Sequence, residues 1–139
     1  MISDLARKLG IRPGQVVCLL DAPPGVAEAI RSQCPPGVVF TASLGGVRCD
    51  LILFWPDELA GLGERFKQLK LHIVPDGAIW AIMPKKKFAR ARRVGFTWEQ
   101  MQVAGLQTDL VDNKIASIFE EEYGTRFVIR KEKRNKYTP

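Results

Sequence analysis

A chain of 139 residues, 46% hydrophobic and 26% charged, is long enough to bury one core, short for two, and too apolar to be wholly disordered. Its formal charge of +6 favours anionic partners or serves solubility, and no apolar run approaches the length of a bilayer-spanning helix. Three cysteines (Cys18, Cys34, Cys49) without a C-x-x-C pair and a single His72 give no metal centre of usual spacing; the N-terminus MISDLARKLG lacks a signal peptide's apolar core, which points to reduced thiols and a cytoplasmic protein.

Ser3 is placed to cap a short helix ending at Gly10, and Arg12-Pro13-Gly14 turns the chain into a first strand. Val16 to Leu20 is continuously apolar, as in a strand covered on both faces, and a helix from Val26 to Gln33 follows the Pro-Pro-Gly turn. Pro35-Pro36-Gly37 breaks the chain before the short strand Val38-Val39-Phe40; Leu44-Gly45-Gly46 is loop, and Leu51 to Trp55 is a third strand. From Asp57 as N-cap, Leu59, Leu62, Phe66, Leu69 and Ile73 recur at helical spacing, with Glu64, Lys67, Gln68 and Lys70 off that stripe. Pro75-Asp76-Gly77 is expected to turn the chain into a fourth strand, Ala78 to Met83, followed by the polar loop PKKKFARARRVGF. Thr97 and Gln100 carry a capping-box pattern for a helix ending near Gly105. Ile115 to Phe119 and Arg126 to Arg130 read as strands around a hairpin at Glu122-Tyr123-Gly124, with Asp112-Asn113-Lys114 as the turn leading into it. This order predicts a single α/β domain over residues 1–131, with a mostly parallel sheet of about six strands and an antiparallel C-terminal hairpin, then a solvated basic tail over 132–139.

The phrases LARKLGIRPGQVVCLLDAPPG, CDLILFWPD and PDGAIWAIMPKK together resemble the frame of class I S-adenosylmethionine-dependent methyltransferases, a Rossmann-like fold. PDGAIWAIMPKK with LVDNKIASIFEEEYGTRFVIRK is similar to a bacterial family catalogued as a domain of unknown function, number 3052, which brings no settled activity. The methyltransferase resemblance implies a cofactor loop of the acid-x-G-x-G type after the first strand and an acid after the second that grips the ribose hydroxyls. Only Asp21 and Gly25 match that loop, Pro23 and Pro24 offer no backbone N–H, and Thr41-Ala42 stands where the acid is expected. Between Thr41 and Asp50 there is no room for the third strand and flanking helices of the full fold. These departures disfavour S-adenosylmethionine as a cofactor without removing it.

Ligands of open α/β sheets bind outside the carboxyl ends of the strands, where strand order reverses. In the methyltransferase order the first and third strands are neighbours, so Asp21, Ala22, Pro23, Pro24 and Gly25 are expected to face Trp55, Pro56 and Asp57 across one crevice. The bland alternative is that Asp21 caps its turn and Trp55 is packing. Lys85, Lys86, Lys87, Arg90, Arg92 and Arg93 crowd the loop leaving the same edge, with Phe88 and Phe96 for stacking. That pattern suits phosphate or single-stranded RNA, and a solvated loop explains it too. His72 has no carboxylate or serine at motif spacing, and no P-loop or nucleophile elbow occurs, so no catalytic residue is assigned. The residues by themselves favour a non-catalytic module for an anionic partner (a nucleotide, RNA or an acidic protein), with a methyltransferase of divergent cofactor loop as the alternative.

Overall fold

Strands that are apolar on both faces need cover on both, and the computed structural model, which describes residues 3–137, supplies it with two helical layers. The strands are β1 (Val16–Leu20), β2 (Val39–Thr41), β3 (Cys49–Phe54), β4 (Ile73–Pro84), β5 (Leu110–Ser117) and β6 (Glu122–Ile129). They form one six-stranded sheet in the order β2-β1-β3-β4-β6-β5. The first four run parallel, while β6 is antiparallel to both β4 and β5. The chain is therefore the expected α/β protein with a mostly parallel sheet and an antiparallel C-terminal hairpin.

Alternating side chains send the strands' apolar residues into two cores. On one face α1 (Asp4–Leu9) and α2 (Val26–Ser32) bring Leu5, Leu9 and Ile30 onto Val17, Leu51 and Trp80. On the other, α3 (Leu62–Lys70) and α5 (Trp98–Leu106) bring Phe66, Leu69 and Met101 onto Cys18, Ile52 and Phe127. The fully buried Trp80 indole donates to the Leu9 carbonyl at 3.1 Å, which pins the end of α1 to the middle of the sheet. Capping follows the sequence: Ser3 accepts from the Ala6 N–H, and Thr97 and Gln100 exchange both capping-box bonds. Cys18 lies in the core with a free thiol, as does Cys49. Their mutual hydrogen bond and burial push the Cys18 pKa far up, so that thiol stays protonated. Among the described residues no helix is long and apolar enough to cross a membrane.

Six local expectations need correction. The helix expected from Asp57 starts at Leu62, because Gly61 is left-handed at φ 77° and Leu59 is exposed. Its expected last stripe residue, Ile73, instead opens β4 opposite Cys49. Lys70, expected on the polar side, is buried and donates to the Thr108 carbonyl at 2.9 Å. Pro75-Asp76-Gly77 does not precede a strand but lies within β4, where the register against β3 shifts between Cys49 and Leu51; proline is tolerated at such an irregularity. Asp112, Asn113 and Lys114 belong to β5, at a bulge. The hairpin reversal falls at residues 118–121, not at Glu122-Tyr123-Gly124, which are the first residues of β6.

Gly124 is a strand residue for a packing reason: a Cβ there would stand 2.7 Å from Cε3 of Trp80. A 3-10 helix, Lys131–Tyr137, follows β6, with Arg134 Nε donating to the Ile129 carbonyl at 3.1 Å. Thr138 and Pro139 of the expected tail lie outside the described residues, as do the side chains of 135–137.

Gly105 lets α5 approach the sheet, since a Cβ there would stand 2.5 Å from Cε1 of Phe127. Gly105→Ala is expected to destabilise the fold by about 1–3 kcal/mol in urea unfolding, as overpacked cores do. Gly63→Ala, whose Cβ would meet nothing closer than 4.0 Å in α3, is expected to stabilise it by about 0.5 kcal/mol.

Candidate ligand crevice at the carboxyl edge

Three parallel strands end at one edge, β1 at Leu20, β3 at Phe54 and β4 at Pro84. The order of strands reverses between β1 and β3, the place where open α/β sheets leave room for ligands. Leaving β1, Asp21 takes a left-handed conformation, φ 57°. Its carboxylate is held by Arg65 of α3 at 3.2 Å, an exposed pair that orients more than it stabilises. Leaving β3, Trp55, Pro56, Asp57 and Glu58 form an irregular segment. Asp21, Trp55, Pro56, Asp57 and Arg65 border one cavity of about 260 Å³.

A second cavity, of about 450 Å³, lies between the start of α2 and the β5–β6 hairpin, bordered by Pro23, Gly25, Val26, Arg92, Phe119 and Glu122. Trp55 belongs to the first cavity and Glu122 to the second, and the Trp55 indole Nε1–H donates to Glu122 Oε2 at 3.2 Å. The same oxygen accepts from Arg92 Nη2 at 2.9 Å. Only 5% of the Glu122 side chain is exposed, against 32% of Arg92. Next to Glu122, the Tyr123 hydroxyl is held neutral by burial and then by the Glu99 charge, which both push its pKa up.

The residues singled out from sequence are thus distributed over both cavities. Asp21 meets Trp55, Pro56 and Asp57 in the first, while Pro23 and Gly25 border the second. Ala22 packs on the α1–α2 core and Pro24 is exposed. Of the six cations in the loop after β4, Arg92 reaches a cavity. Lys85 is half-buried, with its N–H donating to the Glu121 carbonyl, and Lys86, Lys87, Arg90 and Arg93 are exposed on or after the one-turn helix α4 (Lys86–Ala89). The ammonium of Lys87 lies 5.6 Å from the centre of the Phe88 ring. Sequence reasoning did not single out Glu122 or Arg65. Arg65 lies beside the apolar stripe position Phe66 on α3, and its partner Asp21 is 44 residues away, so no local spacing marks it.

No protein-family model and no curated protein matches the chain. Solved structures do. The chain is similar to the N-methyltransferase NodS from Bradyrhizobium japonicum, at TM-score 0.62 and 12% identity, over 88% of this chain and 90% of that one. It is similar to the CcbJ methyltransferase from Streptomyces caelestis, at TM-score 0.55 and 8% identity, over 90% and 86%. A third similar structure, LepI in complex with SAM, gives TM-score 0.53 and 16% identity over 90% of this chain, which spans 39% of LepI. At these identities the likeness establishes a Rossmann-like, methyltransferase-like fold.

Arg92→Met would leave the buried Glu122 carboxylate without its cation and is expected to destabilise the protein by about 1–3 kcal/mol. Glu122→Gln keeps an acceptor for the indole and removes the buried charge, so its loss in urea unfolding is expected to be smaller than that of Arg92→Met.

Proposed function

We propose that the chain is an S-adenosylmethionine-binding protein of methyltransferase type with a divergent cofactor loop. The observation supporting this reading is the cavity at the switch point of the sheet, which has carboxylates and an indole on its walls. Asp21, Asp57 and Glu58 border it together, and among the described residues neither Asp57 nor Glu58 is in an ion pair. A sulfonium and an ammonium are both cations, so these acids fit the two cationic centres of the methionine half, while its carboxylate would need the Arg65 side of the cavity. The ribose half fits less well. Thr41 Oγ1 donates to the Ser43 carbonyl, and the Val26 N–H is already used by the Pro23 carbonyl at 3.1 Å.

A cavity of about 260 Å³ is also below the ~300–1,000 Å³ of sites that enclose a drug-sized ligand. The adenosine end would therefore lie along the open edge, outside the cavity. Asp21, Asp57 and Trp55 are the residues that would hold the group. When bound, it supplies a methyl carbon on sulfur, to which an acceptor lone pair bonds as the C–S bond breaks and its electron pair returns to sulfur. The protein's part is orientation, Arg65 fixing Asp21 and Glu122 fixing Trp55, which is the contribution that proximity makes to a bimolecular transfer.

A second reading, capture of an anionic partner such as a nucleotide, RNA or an acidic protein, is favoured by the loop after β4. Among the described residues, Lys85, Lys86, Lys87, Arg90 and Arg93 are in no ion pair, and Arg92 borders the second cavity. That loop leaves β4 at the carboxyl edge, so an anionic acceptor would be steered to the crevice from this side.

Calorimetry with S-adenosylmethionine and with its demethylated product is expected to give saturable binding that Asp21→Ala weakens about tenfold, roughly one charge-assisted contact. No saturable heat with either ligand would overturn the cofactor reading. For the loop, binding to a single-stranded RNA is expected to weaken with salt, and replacing Lys85, Lys86 and Lys87 by Gln to flatten the log–log slope by about 2. An unchanged slope would remove the loop from the interface.

A further inference from the structure

Away from the carboxyl edge, one register pair sets two cations opposite each other. Lys114 of β5 faces Arg126 of β6 in the antiparallel ladder, and Arg126 in turn faces Trp80 of β4. Opposed residues project from the same face, and like charges so placed repel. Lys114 Nζ donates to the Lys8 carbonyl at 2.9 Å, which puts this face under the last turn of α1. Lys8 Nζ reaches back to the Ser117 carbonyl at 3.1 Å. Around the pair lies a cavity of about 250 Å³ bordered by Arg7, Lys8, Asn113, Lys114 and Arg126, with Leu9 and Gly10.

Among the described residues, no carboxylate borders that cavity. Asp4, which pairs with Arg7 at 4.0 Å, is 92% exposed, and Asp112 is engaged by Gln102 of α5. Arg126 is half-buried and, among the described residues, its guanidinium has no side-chain hydrogen bond or ion pair. Burial, then the charges of Arg134 and Arg12, press its pKa down. A half-buried guanidinium beside Arg7, Lys8 and Lys114 is unfavourable unless an anion completes it.

We propose that this cavity between the end of α1 and the β5–β6 ladder binds a phosphate group. Arg126 offers the planar fork that matches phosphate oxygens. Lys8 and Lys114 each spend one donor on a carbonyl and keep two for the ligand. The carbonyls ending α1 would repel an anion, and the ammonium of Lys114 on the Lys8 carbonyl screens that end. The volume suits a phosphate head group and is too small to enclose a whole nucleotide cofactor. The shared chemistry is the phosphate, carried either by a small phosphorylated molecule or by a nucleic-acid backbone. This inference uses none of the residues of the carboxyl-edge crevice and stands independently of the methyltransferase reading.

The test is titration of the full chain with inorganic phosphate in phosphate-free, low-salt buffer, followed by calorimetry and by the amide and guanidinium NMR signals. Saturable binding is expected, weakened about tenfold or more by Arg126→Gln and by the exposed-site variant Lys114→Gln. The triple replacement of Lys85, Lys86 and Lys87 by Gln is expected to leave it unchanged. Without phosphate, Arg126→Gln is expected to match or exceed the parent's Tm, because it removes a repelled half-buried charge; with phosphate the parent's Tm is expected to rise and the variant's to stay put. A structural Arg126 would give the opposite sign in phosphate-free buffer. Tighter binding of a single-stranded oligonucleotide than of phosphate, with a salt slope that Arg126→Gln lowers by about 0.7, identifies the backbone as the source; the reverse order identifies a small molecule. Absence of saturable binding by the parent, or binding indifferent to both Arg126→Gln and Lys114→Gln, would overturn the proposal.

Discussion

Burying a carboxylate costs several kcal/mol unless a cation and donors replace its water, and Glu122 is a carboxylate with 5% of its side chain exposed. Its compensation comes from two directions onto one oxygen, the Arg92 guanidinium at 2.9 Å and the Trp55 indole at 3.2 Å. Glu122 opens β6 opposite Pro84, Arg92 lies in the loop after β4, and Trp55 stands just beyond β3. Satisfying this one group therefore fixes three segments at the carboxyl edge. The Lys85 N–H bond to the Glu121 carbonyl, at 2.8 Å, adds a second stitch to the same corner. The loop with its six cations is consequently folded against the edge.

Strand order decides what that corner can hold. Because β1 connects outward to β2 while β3 lies on its other side, the chain leaves β1 and β3 in diverging directions and opens a gap between them. Asp21 enters it through a left-handed residue, a conformation that costs a non-glycine about 1 kcal/mol or more and persists where surroundings enforce it. Its carboxylate goes to Arg65 of α3 and not to the turn that follows. The Trp55–Glu122 bond then divides the gap from the larger cavity beyond.

What could be read in the sequence was local. Val16–Leu20 and Leu51–Phe54 are apolar on both faces and so announced central strands; Thr97 and Gln100 carried their cap chemistry with them. Errors arose where a distant partner overrides a local signal. Gly124 looks like turn chemistry and is instead a strand position where the Trp80 ring leaves no room for a Cβ. Pro75-Asp76-Gly77 looks like a break and is absorbed by a register shift against β3. Lys70 looks solvated and is taken by a carbonyl 38 residues away. The grouping of Asp21 with Trp55, Pro56 and Asp57 came from strand order. Glu122 and Arg65 stayed invisible because their bonds span 67 and 44 residues, for which no spacing rule exists.

The distribution of charge bears on how a ligand could be held. The turn after β1 contributes little to an anion: two prolines lack N–H groups, and α2 has 7 residues and starts at a left-handed Gly25 without a side-chain cap. A group bound in the first cavity would have to be held from the opposite wall, by the acids around Trp55, and those select a cation. The surplus of +6 is concentrated elsewhere, on the loop after β4 and on the face under α1. An acidic notch beside the basic loop after β4 therefore attracts cations to one part of the edge and anions to another.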